Sequence, residues 1–159
     1  EQAGFIPLAH IQASNQQRNE DWTGWAEKFI GAPYKWGGRS AAGLDCSALV
    51  QLSLAASQYY LPRDTGPQLQ LLTKEAQVSG TRYDFPDDFR TVDFGRGDLI
   101  YWDGHVAICV DAKDIIHANA FHHCVIVEPH ETAVSRIAAS FGPPIAHIRK
   151  NVIKQILSA

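Results

Sequence analysis

Five short runs rich in β-branched and aromatic residues occupy the second half of the chain, and they constrain the fold more strongly than any other feature. The runs are DLIYW (98–102), HVAICV (105–110), DIIHA (114–118), CVIVE (124–128) and IAHIRK (145–150). Their length and composition are typical of β-strands. Only an Asp-Gly turn and an AKD stretch separate the first three runs, and such gaps are too short for crossover helices. The pattern therefore predicts an antiparallel meander.

The first half of the chain carries helical signals. DWTGWAEKFI (21–30) places its apolar residues on one face at helical spacing, and Asp21 is a natural N-cap. The apolar run from 46 to about 60 predicts a second helix, and residues 67–76 predict a third, opened by Pro67. Helices followed by strands predict an α+β domain, with N-terminal helices packed on one side of a C-terminal antiparallel β-sheet.

The start of the chain differs from this pattern. Residues 1–13, EQAGFIPLAHIQA, alternate weakly between apolar and polar side chains and precede the polar stretch SNQQRNED. We therefore expect residues 1–13 to be the tail of something that precedes the domain, residues 14–20 to be a linker, and residues 21–159 to be the single domain.

Charge and cysteine content exclude several classes of function. The formal net charge is −3, and no run of the chain is apolar enough for a spanning helix, so we expect neither a nucleic acid nor a membrane as partner. The three cysteines, Cys46, Cys109 and Cys124, cannot all pair within one chain. None lies in a CxxC motif, which argues against a structural zinc site, and a free thiol fits a reducing compartment best.

Cys46 stands at the predicted start of a helix, in GLDCSALVQL (43–52). With Asp45 as N-cap, the thiol lies beside unpaired backbone N–H groups and the positive end of the helix dipole. This position predicts a pKa below the ordinary value of a thiol, which favours the nucleophilic thiolate. The alternative is a small apolar residue that fills the core, as we expect for Cys109 and Cys124 in their strands.

Two of the seven histidines are placed to act on such a thiol. His105 opens a predicted strand directly after the Asp-Gly turn, and His117 lies near the end of the next strand. Adjacent antiparallel strands bring such side chains together on one face, so one ring is a candidate base and the other its orienting partner. For His122 and His123, a metal site with Cys124 is a weaker alternative because no second cluster supplies further ligands.

Three separated stretches resemble the NlpC/P60 cysteine peptidases. They are GAPYKWGGRSAAGLDCSALV (31–50), PRDTGPQL (62–69), and the pair GDLIYWDGHVAI and IIHANA, and together the resemblance covers roughly residues 20–150. Ala48 departs from the family, which usually has glycine after DCS. The resemblance implies a papain-like α+β fold and no metal or organic cofactor.

The resemblance also implies a role for individual residues. Cys46 becomes the nucleophile, His105 the general base and His117 the orienting residue. Tyr34 matches a family tyrosine whose hydroxyl lies beside the nucleophile and helps to stabilise the oxyanion. Without the resemblance, the preferred interpretation of Tyr34 is an aromatic residue packed under a turn.

The implied substrates are murein peptides such as L-Ala-γ-D-Glu-diaminopimelate, cleaved after γ-D-glutamate. Asp45 and Ser47 match positions that bind the free α-amine of such peptides, with helix capping as the alternative role. The segment GFIPLAHI resembles the end of a bacterial SH3-like domain, which precedes the catalytic domain in family members that recycle wall peptides. We therefore expect a cytoplasmic protein, with the periplasm as the alternative.

Three other functions compete with this interpretation. Related amidases and acyltransferases use the same chemistry, although the order of Cys46 before His105 argues against their permuted branches. A non-catalytic wall-binding module has no need to keep Cys46, His105 and His117 together. The scattered spacing of the cysteines disfavours a redox or metal protein.

Overall fold

The computed structural model describes residues 19–79 and 92–158 of the chain. The predicted tail at 1–13 and most of the predicted linker at 14–20 lie outside the described residues. Within the described ranges, every helix is too short or too polar to cross a lipid bilayer.

Helices precede strands along most of the described chain. The helices are α1 (Trp22–Glu27), α2 (Cys46–Ala56), α3 (Thr65–Ser79), α4 (His130–Phe141) and α5 (Lys150–Ser158). The strands are β1 (Arg39–Ser40), β2 (Gly43–Leu44), β3 (Leu99–Trp102), β4 (His105–Cys109), β5 (Asp114–Asn119), β6 (Cys124–Pro129) and β7 (Ala146–Ile148). The predicted α+β class is confirmed.

The main sheet is antiparallel throughout. Its strand order is β6-β5-β4-β3-β7, and consecutive strands from β3 to β6 are neighbours, so the predicted meander is confirmed. The chain then passes through α4 and returns to the far edge, where β7 pairs with β3. The short strands β1 and β2 form a separate pair just before α2.

Both faces of the sheet are buried. In β3, Leu99 and Tyr101 pack into the core formed with α1 and α2, whereas Ile100 and Trp102 pack into a second core. Side chains of α4, among them Ile137, complete this second core. The N-terminal helices α1 and α2 pack on one face, as predicted, whereas the other face is covered by α4, a helix that the sequence analysis did not predict. A run of four consecutive apolar residues alternates between two faces and needs a cover on each.

Helix boundaries also differ from the sequence prediction. Helix α1 ends at Glu27, and α3 begins at Thr65, two residues before Pro67. The sequence analysis missed α4 and α5 and extended the last strand through Lys150. That residue instead begins α5, because its backbone N–H donates to Oδ1 of Asp98 at 2.7 Å. A cap supplied from so distant a residue leaves no local signal.

Candidate active site

Cys46 is the first residue of α2, as the sequence predicted. Asp45 caps this helix, because its backbone is extended and its Oδ1 accepts a hydrogen bond from the N–H of Ala48 at 2.9 Å. The thiol is buried and lies at the turn between β3 and β4, where Sγ donates to the carbonyl oxygen of Gly104 at 3.9 Å. The start of α2 therefore faces the start of β4, which is His105.

Burial decides the protonation state of the thiol. It raises the pKa of Cys46 to about 11, and the negative charge of Asp45 adds to the rise. Hydrogen bonds from backbone N–H groups, including those of Val106 and Ser47, lower the pKa of Cys46, but the effect of burial is larger. The expectation of a lowered pKa at the helix N-terminus is therefore wrong. Attack by Cys46 requires a base that removes its proton.

His105 and His117 meet as the sequence predicted. In the β4–β5 register, Ile108 lies opposite Ile116, and extending this register places His117 diagonally across from His105. The two rings are joined by a hydrogen bond of 2.8 Å between Nε2 of His105 and Nδ1 of His117. The bond leaves Nδ1 of His105 as the nitrogen available to the thiol.

Both rings are neutral in this environment. Burial lowers the pKa of His105 to about 3, and the neighbouring His117 ring and Arg136 guanidinium lower it further because each disfavours a second positive charge beside it. Burial also lowers the pKa of His117, more than its hydrogen bond with Glu128 raises it. A neutral imidazole at His105 has one unprotonated nitrogen, which a general base requires.

Glu128 and Arg136 extend this arrangement beyond the residues that the sequence analysis identified. Oε1 of Glu128 lies 2.7 Å from Nε2 of His117, and Arg136 pairs with the same oxygen. Strand β6 supplies Glu128, two residues beyond Ile126, the residue opposite His117. The one available signal was an acidic residue that closes the apolar run CVIVE. Its partner in α4 could not be inferred from that run.

A metal ion does not fit the histidine cluster well. Nε2 of His117, Nδ1 of His122 and Oε1 of Glu128 lie within 4.8 Å of one another. The guanidinium of Arg136 is bonded to the same Glu128 oxygen and would repel a cation there. We therefore assign none of the three as a metal ligand. Cys124 lies outside this cluster. Its side chain is half-buried, so the prediction that it is fully buried is wrong.

Arg63 holds both residues that were predicted to bind substrate. Its Nη2 lies 2.7 Å from Oδ2 of Asp45, and its Nη1 donates to Oγ of Ser47 at 2.9 Å. The backbone N–H of Gly37 also donates to Asp45 at 2.9 Å. Burial raises the pKa of the Asp45 carboxyl, but these hydrogen bonds outweigh it and hold the pKa below the usual range. Arg63 lies in PRDTGPQL, yet the sequence analysis gave it no role.

Tyr34 lies beside the nucleophile. It is half-buried, and burial raises the pKa of its hydroxyl, with the charges of Cys46 and Asp45 adding to the rise. The hydroxyl therefore remains a hydrogen-bond donor at neutral pH. The backbone N–H of Tyr34 donates to the carbonyl of His123 at 2.8 Å, which ties this loop to the start of β6.

Two cavities flank the pair of Cys46 and His105. The Cys46 cavity has a volume of about 220 Å³ and is lined by residues that include Asp45, Cys46, Ser47, Asp64 and Thr65. The His105 cavity has a volume of about 360 Å³ and is lined by residues that include Asp103, His105, Phe121, Arg136, Ile137 and Phe141. Tyr34, Trp36 and Gly104 line both, so the cavities form the two arms of one groove.

The sequence profile described as "NlpC/P60 family" matches residues 31–139, which include Cys46, His105 and His117. The chain belongs to the NlpC/P60 family. The family and the fold class that the sequence analysis inferred are therefore confirmed.

Curated relatives of this NlpC/P60 domain carry the names of peptidases. The gamma-D-glutamyl-L-lysine dipeptidyl-peptidase of Bacillus cereus is 28% identical over 116 residues, which cover 71% of this chain and 32% of that protein. The protein of the same name from Bacillus subtilis is 48% identical over 66 residues, covering 40% of this chain and 22% of that protein. The chain thus spans a third or less of these relatives.

A solved structure of the family shares the fold. The peptidoglycan hydrolase RipB from Mycobacterium tuberculosis superimposes with a TM-score of 0.60 at 24% identity, and the match covers 94% of this chain and 73% of that one. The names of the two Bacillus relatives agree with the predicted enzyme class, a hydrolase of the peptidase type.

Proposed function

We propose that this NlpC/P60 domain is a cysteine peptidase that hydrolyses the bond between γ-D-glutamate and a diamino acid in murein peptides. The observation that carries the proposal is the convergence of Cys46, at the start of α2, with His105 and its bonded partner His117. The names of the two Bacillus relatives support the bond specificity.

The reaction follows from the protonation states of the site. Nδ1 of neutral His105 takes the thiol proton while Sγ of Cys46 attacks the γ-carbonyl carbon of D-glutamate. The Tyr34 hydroxyl and the backbone N–H of Cys46 stabilise the oxyanion. The imidazolium of His105 then protonates the leaving amine, which leaves a thioester. His105 finally activates a water molecule that hydrolyses the thioester and restores the thiol.

The acidic character of the Cys46 cavity favours a substrate with a free amine. Asp45 and Asp64 both line this cavity, and Ser47 adds a hydroxyl group. Arg63 already pairs with Asp45, so a substrate ammonium would have to share that carboxylate with the guanidinium. The Asp64 side chain is mostly exposed and lies farther from Arg63, at 3.8 Å, so its carboxylate is more available to an ammonium. We therefore propose L-Ala-γ-D-Glu-diaminopimelate as the type of substrate, encountered as a free peptide in the cytoplasm rather than as intact wall in the periplasm.

The test is digestion of three substrates in parallel, with products identified by mass. These are L-Ala-γ-D-Glu-diaminopimelate, the same peptide acetylated at its N-terminus, and intact sacculi. We expect release of diaminopimelate from the free peptide and at least about tenfold slower release from the acetylated one. Equal cleavage of both peptides would refute amine recognition, and cleavage of neither would refute the proposed bond specificity.

A pair of variants identifies the carboxylate that recognises the amine. Asp64→Asn removes one charge from the cavity and leaves the cap of α2 intact, so we expect a higher KM for the free peptide and an unchanged kcat. Asp45→Asn also removes the partner of Arg63, and it serves as the comparison for a change that disturbs the start of α2. An Asp64→Asn variant with unchanged KM would leave Asp45 as the amine ligand.

A further inference from the structure

A continuous line of hydrogen-bonded side chains leads from His105 away from the nucleophile. His105 Nε2 lies 2.8 Å from His117 Nδ1, and His117 Nε2 lies 2.7 Å from Glu128 Oε1, where Arg136 also bonds. The members come from β4, β5, β6 and α4 in turn. The His117 side chain is completely buried, and that of Glu128 is 8% exposed.

Glu128 determines which nitrogen of His117 carries the proton. A carboxylate only accepts hydrogen bonds, so Nε2 of His117 must be the donor in this contact. In the neutral ring, Nδ1 of His117 is then an acceptor, and His105 must donate to it from Nε2. His105 Nδ1 is consequently unprotonated and able to take the thiol proton of Cys46. Nδ2 of Asn119, also a donor, lies 2.9 Å from the same nitrogen and by itself would favour an unprotonated Nε2. The contact with Glu128 is shorter, at 2.7 Å, and has a charged acceptor, so it is the stronger of the two and decides the assignment.

The charges of Glu128 and Arg136 act on the histidines with opposite signs. Glu128 stabilises positive charge on His117, whereas Arg136 opposes it on both His117 and His105. Among the residues that the structure describes, the remaining ionisable group at the carboxylate is His122, whose Nδ1 is 3.9 Å from Oε1 of Glu128. The Arg136 guanidinium therefore neutralises the Glu128 carboxylate, which would otherwise be a buried negative charge without a cation.

We propose that Glu128 and Arg136 are positioning residues for the peptidase reaction: Glu128 fixes the proton arrangement of His117 and thereby that of His105, and Arg136 holds Glu128 in place. This inference rests on the proposed function of Cys46 and His105. Neither residue touches the reacting atoms; Glu128 acts through His117, and Arg136 acts through Glu128.

The first measurement needs no substrate. The ¹⁵N chemical shifts of the histidine rings report which nitrogen carries the proton. In the wild type and in Glu128→Gln, whose amide oxygen still accepts a hydrogen bond, we expect the His117 proton on Nε2. In Glu128→Ala the acceptor is lost, and we expect a population with the proton on Nδ1. Wild-type ring shifts in Glu128→Ala would overturn the proposal.

The second measurement is the pH profile of kcat/KM on the free murein tripeptide. Glu128→Gln removes a negative charge that favours the protonated form of His117, so the acid limb should move to lower pH by about one unit. Arg136→Gln removes a positive charge, so the limb should move to higher pH. If the two residues were merely structural, the acid limb would not move in opposite directions in the two variants. An acid limb that moves in the same direction in both variants contradicts the proposal.

A matched control lies at the opposite edge of the sheet. Nε2 of His147 is 2.8 Å from Oδ2 of Asp98, and both side chains are nearly buried. Asp98→Asn therefore breaks a similar buried histidine–carboxylate pair outside the active site, and it should lower the melting temperature without moving the acid limb. If the wild type fails to cleave the peptide, the proposed function is refuted, and the ring shifts still decide the role of Glu128.

Discussion

Acid should destabilise this domain through His105 at a pH where its carboxylates are still ionised. The pKa of His105 is about 3 in the folded protein, against 6.5 for an ordinary histidine. Between these values the unfolded chain binds a proton that the folded chain does not, so the free energy of unfolding falls as the pH falls. The stability contributed by the neutral ring is thus fully present above 6.5 and is lost progressively below it.

The size of the effect follows from the pKa difference. Each pH unit inside this window costs about 1.4 kcal/mol per proton, so acidification to about pH 5 removes at most about 2 kcal/mol through His105. Because the ring is only half-buried and water screens part of the penalty, we expect about 1 to 2 kcal/mol. For a domain of this size the loss corresponds to a melting temperature lower by about 2 to 8 °C.

The assay is urea unfolding of three proteins near pH 7 and pH 5. His105→Asn removes the titrating ring, so this variant should lose about 1 to 2 kcal/mol less than the wild type on acidification. His123→Asn is the matched control, because His123 is exposed and its positive φ of 57° is one that asparagine tolerates. Equal losses in the wild type and in His105→Asn would refute the reasoning.

Three further predictions concern the residues around the nucleophile. Iodoacetamide should modify Cys46 before Cys109, which lies completely buried in β4, and peptide mapping that finds the reverse order would contradict the assignment. His117→Ala should retain activity above the level of Cys46→Ala, because only orientation is lost; equal inactivation of both variants would refute an orienting role. Arg63→Ala should lower the free energy of unfolding by about 2 kcal/mol, because it leaves Asp45 nearly buried without its cation, and Arg63→Lys should restore only part of it. Urea curves that superimpose on the wild type would exclude that contribution of Arg63.

The sequence determined the parts of the site that depend on local signals. The aspartate before Cys46 specified where α2 begins, because an N-cap acts on backbone groups within its own first turn. The β-branched and aromatic composition of the second-half runs, together with the Asp-Gly turn, specified the meander, which brings His105 and His117 together. Strand composition and turn chemistry extend over only a few residues, so they can be read from the chain directly.

Tertiary structure decided the partners and the protonation states. Arg63 reaches Asp45 from 18 residues away, and Arg136 reaches Glu128 from another element, so neither pairing has a local signature. The same reason hides the capping of α5 by Asp98. The sign of the pKa change at Cys46 was also decided by packing. The helix N-terminus lowers that pKa locally, but the desolvation that raises it sums over every element around the thiol, and that sum exists only in the folded protein.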